Sequence, residues 1–294
     1  PRKLVPGGEI DYNPSFSLDG QWVVFTSDRS GSADIFRTRV DGTGVERLTS
    51  SPAYDDQAAL SPDNRSLAFV SSRKDGSTDI YIMDLENRQV RNLTSSPGGD
   101  FRPSWSPDGQ TIAFSSDRGT GFPHQDYPEP AGRWEHVQAA NVYLIESDGT
   151  GLRQLTTDPN MMVGSPKWSA DGKRLVFYEM PVLDTFQAHY AGSASSIVSI
   201  DLETGDRTVH AAGPGLKVLP HFIAPQHIAY YSRTRDSGTL NFTNAKASEP
   251  RDLSNPSWSF DGTKVVYQAG QLETMHHYSN TPDGELLGII DDSG

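Results

Sequence analysis

The chain has 294 residues, with 35% hydrophobic and 21% charged side chains, enough to bury the core of one large globular domain. A formal net charge of −13 argues against nucleic acid as a partner, and the absence of cysteine removes disulfide and thiolate chemistry. No apolar run approaches the length of a membrane-spanning helix, and no signal peptide stands at Pro1, which fits either a mature form or an excised piece. The lack of cysteine fits a periplasmic or secreted chain, which is the expectation.

In chain order, the first elements form a short, regular unit. Pro14-Ser15-Phe16-Ser17 is a strand that ends in the turn Leu18-Asp19-Gly20. Trp22-Val23-Val24-Phe25 is a second strand, apolar throughout and therefore buried on both faces. Asp34-Ile35-Phe36-Arg37-Thr38 is a third, alternating strand, and Glu46-Arg47-Leu48-Thr49 is a more polar fourth. Four strands joined by tight turns make an antiparallel meander whose apolar character falls from axis to rim.

The unit recurs. Its signature tetrads are Ser17-Leu18-Asp19-Gly20, Ser61-Pro62-Asp63-Asn64, Ser106-Pro107-Asp108-Gly109, Ser169-Ala170-Asp171-Gly172 and Ser259-Phe260-Asp261-Gly262. A period near 45 residues carried by short strands predicts a propeller. The long gap from Asp171 to Asp261 leaves room for a degenerate unit at Leu219–Pro225 followed by Gln226–Tyr231. The expected fold is all-β: one domain over residues 1–294, a six-bladed propeller of four-stranded antiparallel blades starting near 14, 58, 103, 166, 220 and 256. A seven-bladed ring is the alternative. In the last unit Thr281-Pro282-Asp283-Gly284 reads as the turn before a fourth strand. Both Arg2–Val5 and Glu285–Ile290 then compete for that outermost place.

In the tetrads, Pro presets the turn, Asp fits its third position, and Gly takes a left-handed backbone. The repeated aspartates are therefore turn residues, not catalytic ones. Asp34 and Asp79, which open third strands, are expected to brace the preceding turn through backbone N–H groups.

The repeat Pro103 to Gly109 followed by Ile112-Ala113-Phe114-Ser115-Ser116-Asp117-Arg118 resembles the PD40, WD40-like repeats of the TolB β-propeller family. So do Asp79–Asp84 and Arg153–Thr156. The likeness runs along nearly the whole chain, without a counterpart to the α/β N-terminal domain of TolB. Similar repeats occur in the propellers of prolyl-oligopeptidase-like enzymes and in oligogalacturonate lyases, where the propeller carries a metal site.

Two oversized connections between second and third strands, 119–140 and 180–195, fall on one face of the ring, where irregular loops carry function. With the inter-blade loops they supply the candidate ligand-binding residues Trp134, Glu135, Arg102, Tyr190, Asp55, Asp100 and His124: flat aromatic surfaces with charged groups to orient a ligand. No catalytic residue is assigned. His136, His189 and His221 are the candidate metal ligands. Two functions follow as expectations. One is a monomeric recognition module for a peptide, a glycan or an envelope protein. The other is a metal-dependent carbohydrate lyase or hydrolase. A divalent cation is the only cofactor considered: structural calcium, or a transition metal in an enzyme.

Overall fold

Each tetrad closes a tight turn through its own side chains. The Ser106 hydroxyl donates to Asp108 Oδ1 (2.5 Å) and accepts from Thr111 N–H (2.9 Å), while Gln110 N–H donates to the same carboxylate (3.0 Å). Gly109 sits at φ +72°, where a Cβ is unwelcome. The serine–aspartate bond repeats at Ser17–Asp19, Ser61–Asp63, Ser169–Asp171 and Ser259–Asp261. The tetrad aspartates are turn residues, as their spacing implies.

The computed structural model describes residues 2–5, 10–74, 77–120, 139–185, 193–233, 237–249, 251–269 and 287–291. Strand β1 (Arg2–Lys3) comes first. The first sheet is β2 (Asp11–Phe16), β3 (Trp22–Ser27), β4 (Asp34–Arg39) and β5 (Glu46–Arg47). The second is β6 (Asp55–Leu60), β7 (Ser66–Lys74), β8 (Ser77–Asp84) and β9 (Val90–Asn92). The third is β10 (Asp100–Trp105), β11 (Thr111–Ser116), β12 (Asn141–Glu146) and β13 (Arg153–Gln154). The fourth is β14 (Met161–Trp168), β15 (Arg174–Pro181), β16 (Ser196–Asp201) and β17 (Arg207–Ala211), with the one-turn helix α1 (Val182–Thr185) after β15. A fifth sheet holds β18 (Leu216–Ala224), β19 (His227–Arg233) and β20 (Gly238–Phe242). The last holds β21 (Leu253–Trp258), β22 (Lys264–Ala269), β23 (Leu287–Asp291) and, outermost, β1. All pairings within these sheets are antiparallel. Inner strands touch their neighbours around the ring, from β2 to β6, β10, β14, β18 and β21 and back to β2.

Five of these sheets are four-stranded blades, which corrects the expectation of six such blades; no seventh sheet occurs among the described residues. The three-stranded sheet is the unit without a tetrad. Beyond β20 its outer edge is met by two local contacts instead of a ladder: Ser248 with Leu240, and Arg251 with Gly238. Pro250, between them, has no N–H to give a strand.

The last sheet also departs from expectation. β23 pairs directly with β22, so it takes the third place and the segment 270–286 is a connection between second and third strands. Thr281–Gly284 therefore precedes a third strand, not a fourth. β1 takes the fourth place, pairing Arg2 with Ile289 and Lys3 with Gly288. The two candidates for ring closure thus lie side by side.

The core sits between sheets. Phe25, Phe69, Phe114 and Phe177, at one position of four second strands, are all fully buried. Val24, Ile35 and Leu48 of the first sheet pack against Leu60, Leu67 and Phe69 of the second. Each such cluster takes large aliphatic and aromatic side chains out of water, which drives the sheets together.

Candidate functional site

The inner strand of every sheet carries a bulge. One residue in each takes a left-handed backbone: Asn13, Gln57, Arg102, Ser165, Leu219 and Asn255, with φ between 48° and 55°. All but Gln57 precede a proline. Non-glycine residues in this region are strained, and a bulge re-aims the side chain it carries. The six bulged segments line an axial cavity of about 50 Å3. That space admits a few water-sized groups.

The cavity is basic and rich in donors. Arg102, Lys167 and His221 line it, and no aspartate or glutamate does among the described residues. Lys167 and His221 stand two residues beyond the bulge in adjacent inner strands, where the other sheets have Ser15, Ala59, Ser104 and Ser257. Burial, with Arg102 nearby, lowers the Lys167 ammonium to about 8. Burial and the Lys167 charge lower His221 to about 3, so its imidazole is neutral at pH 7. Burial raises the Tyr178 phenol, on the same sheet as Lys167, to about 12. The Arg102 guanidinium donates to Asn13 Oδ1 (3.3 Å), and Asn13 in turn donates to both oxygens of buried Asp56 (3.0 and 2.8 Å). Asp56 also accepts from Thr26 (2.5 Å) and Tyr54 (3.0 Å), so its lone pairs are spoken for.

The indoles around the cavity differ. Trp105 Nε1 donates to the Ala59 carbonyl (3.1 Å) and Trp168 Nε1 to the Ser104 carbonyl (3.0 Å), each crossing to the preceding sheet. Trp258 is 2% exposed, lies 6.2 Å from the His221 ring, and its buried Nε1–H has no partner among the described residues.

The candidate residues from the sequence separate into three groups. Arg102 and His221 reach the axial cavity. Asp55 and Asp100 do not face a ligand: both are fully buried and hold arginines, Asp55 with Arg73 (2.9 Å) and Asp100 with Arg118 (2.6 Å). Trp134, Glu135, His124 and His136, in 121–138, and His189 and Tyr190, in 186–192, lie outside the described residues. So do His276 and His277. Among the described residues no three metal-ligating side chains cluster.

The buried aspartates belong to a repeated device that sequence reasoning missed. Asp11, Asp55 and Asp100 open the inner strands of the first three sheets, and Arg29, Arg73 and Arg118 follow each by 18 residues. Each arginine also bonds a serine two residues before it (Ser27, Ser71 or Ser116) and lies over a ring pair, Phe25/Phe36, Phe69/Tyr81 or Phe114/Tyr143. The fixed separation was the available signal. Contrary to expectation, Asp34 and Asp79 do not brace the preceding turn through its backbone N–H groups among the described residues, but reach the fourth strand and the loop after it. Asp34 pairs with Arg47 (2.6 Å) on the fourth strand; Asp79 accepts from Asn92 (2.7 Å) and from Ser96 N–H (2.8 Å) in the following loop.

The long connections share one face. The segments 117–140, 182–195 and 270–286 each join a second strand to a third, in the third, fourth and sixth sheets. That edge of the ring is common to all connections of this kind, because successive turns of a meander alternate between faces. The third insertion was hidden in the sequence by the misplaced β23.

The model of the TolB β-propeller domain, PD40, matches residues 1–74 and 57–127. An uncharacterized protein of Agrobacterium fabrum is 41% identical over 69 residues, 24% of this chain and 24% of that protein. Among solved structures, TolB from Acinetobacter baumannii is similar with a TM-score of 0.63 at 22% identity, over 86% of this chain and 53% of that one. A structure described as TolB from Agrobacterium tumefaciens scores 0.62 at 17% identity, over 86% and 87%. An oligogalacturonate lyase in complex with manganese scores 0.54 at 13% identity, over 89% and 86%. The match spans about half the length of the Acinetobacter TolB and a quarter of the Agrobacterium fabrum protein. The domain match ends inside the third sheet, between β11 and β12 and past Arg118, and the likeness of fold extends around the ring: the chain is a β-propeller whose first 127 residues are similar to the TolB propeller domain.

Proposed function

We propose that this propeller is a recognition module of the periplasm or the secreted space, acting as a monomer. It binds an extended partner, a peptide, a glycan or an envelope protein, across the face that bears 119–140 and 180–195. One observation carries this: the other connections between strands span ten residues or fewer, whereas the three longer ones all join second to third strands, in the third, fourth and sixth sheets. Tight turns suffice to build a blade, so added length on one face serves contact with something else. Trp134, Glu135, His124 and Tyr190 fall in these segments and supply the stacking and charged groups of such a contact.

The test is a screen of the purified chain on peptide and glycan arrays beside a variant in which 121–138 is replaced by a short Gly-Ser turn. Binders lost in the variant support the proposal. Hits bound equally by both, or no hit at millimolar concentration, overturn it.

A second function, a metal-dependent carbohydrate lyase or hydrolase, draws on His221, whose neutral imidazole at the axis suits a metal ligand. His136 and His189 would complete its donor set, with a transition metal, or with calcium in a structural role. Against it, the Arg102 and Lys167 charges line the same cavity and oppose a divalent cation there. One equivalent of manganese retained through dialysis by the native chain, and lost in His221→Ala, would favour this second function.

A further inference from the structure

We infer that the axial cavity is an anion site that takes a carboxylate, held by Arg102 and Lys167. This goes beyond recognition on the loop face and does not depend on it, since every residue it uses lies on an inner strand.

Two observations carry it. The first is the imbalance of charge. The chain is acidic overall, at −13, yet this cavity gathers two cations and no carboxylate from the described residues. The nearest acid in the hydrogen-bond chain, Asp56, is saturated by Asn13, Thr26 and Tyr54, and meets Arg102 only through Asn13. Enclosed charges without a partner are costly, and a counter-ion removes that cost.

The second is a contrast between two lysines. Lys217, in the fifth sheet, donates to the carbonyls of Gly213 (2.7 Å), Pro214 (3.0 Å) and Gly215 (3.1 Å), so its ammonium is fully served by the backbone. Lys167 has no hydrogen bond or ion pair among the described residues and turns its side chain to the cavity. The protein caps the ammonium of buried Lys217 and, among the described residues, leaves that of Lys167 uncapped.

The Trp258 indole also lines the cavity, so its resonance reports on occupancy, although its own N–H is fully buried and has no acceptor among the described residues.

Together Arg102 and Lys167 supply a guanidinium fork and an ammonium, both donors. A planar carboxylate presents two acceptor oxygens to such a set, and the guanidinium meets it in bidentate fashion. The volume of about 50 Å3 suits the carboxylate head alone, so a larger ligand would leave the rest of its body outside.

The experiment is a titration of the full chain with sodium formate and sodium acetate at constant ionic strength, held with sodium chloride. It is followed by calorimetry and by the indole N–H resonances in two-dimensional NMR. The expected result is one saturable equivalent, with a shift of the resonance that disappears in Trp258→Phe. Lys167→Met and Arg102→Gln should each weaken binding at least tenfold, while exposed Lys173→Met leaves it unchanged. The indole shift is read on the native chain, so the test survives if a lysine variant fails to fold. No saturable binding, no indole shift, or native affinity retained in Lys167→Met or Arg102→Gln overturns the site. Preference for sulfate over formate overturns the carboxylate assignment. A glutamyl dipeptide amide distinguishes the source: tighter binding than acetate indicates a carboxylate borne by a partner chain, and weaker binding a free small acid.

Discussion

Arg118 reaches Asp100 at 2.6 Å while its guanidinium lies 5.2 Å from the Phe114 ring and 5.3 Å from that of Tyr143. Burial raises the Asp100 carboxyl above its ordinary value, and the arginine opposes that rise. The aspartate is fully buried, so removing its partner strands a charge. Arg118→Met should therefore destabilise the chain by about 3–5 kcal/mol. The double variant Asp100→Leu/Arg118→Met should recover part of that loss. Urea unfolding of the single and double variants checks both; additive losses would show that the pair is not coupled.

Ser106 serves two partners at once, Asp108 Oδ1 and Thr111 N–H. Ser106→Ala leaves both without it and should cost about 1–2 kcal/mol. The Asp108 carboxyl, held below its ordinary value first by that hydroxyl, should titrate higher in the variant. Carboxyl-carbon NMR through the acid range reads the shift directly.

Four turn carboxylates, Asp63, Asp108, Asp171 and Asp261, are held below the ordinary 3.8, in each case first by the tetrad serine. Their folded values lie below their unfolded ones, so their stabilisation is complete above about pH 4 and fades as the pH falls through the folded values. Asp34 and Asp100, raised first by burial, act in the opposite sense just above that range and soften the fall. The urea midpoint should decline below about pH 4, less steeply in Ser106→Ala. A midpoint that climbs on acidification would contradict the turn assignment.

Gly42 has φ +89°, and a Cβ there would meet the Leu4 carbonyl oxygen at 2.4 Å. Both the backbone and the contact exclude a side chain. Gly42→Ala should push the N-terminal segment off the first sheet, at a cost on the order of 1–3 kcal/mol. Faster hydrogen exchange at β1 and β23 than in the native chain would localise the damage; uniform exchange would argue against it.

The ring was legible because its turns are local. Ser, Asp and Gly within four residues dictate a turn wherever they fall, so spacing alone located five inner strands. The fifth sheet lacks that signal, and its missing fourth strand could not be seen in a composition that still alternates. The last sheet misled for the same reason: Asp283-Gly284 resembles a turn at the usual interval, but the pairing of β23 with β22 is set by contacts across the sheet. Asp55 and Asp100 look like exposed acids in a loop-rich stretch. Only the 18-residue separation from Arg73 and Arg118 reveals that they are buried. In the later sheets Val163, Lys217 and Leu253 stand in the place of those aspartates, which weakens the repeat just where the match to the domain model stops. The axial cavity was the least visible feature, because its residues come one or two from each inner strand.

Arg2 and Lys3 pair with Ile289 and Gly288, and Arg2 also donates to the carbonyls of Val40 (2.7 Å) and Asp41 (3.0 Å) in the first sheet. Those bonds, with the cluster of Leu4, Val5, Phe16 and Val266 that joins the first and last sheets, are the clasp of the ring. Under tension applied at the two chain ends they carry the load in series, ahead of every longer ladder. The clasp should part first and let the ring straighten into a strip of intact sheets, each of which then yields at its own, higher force.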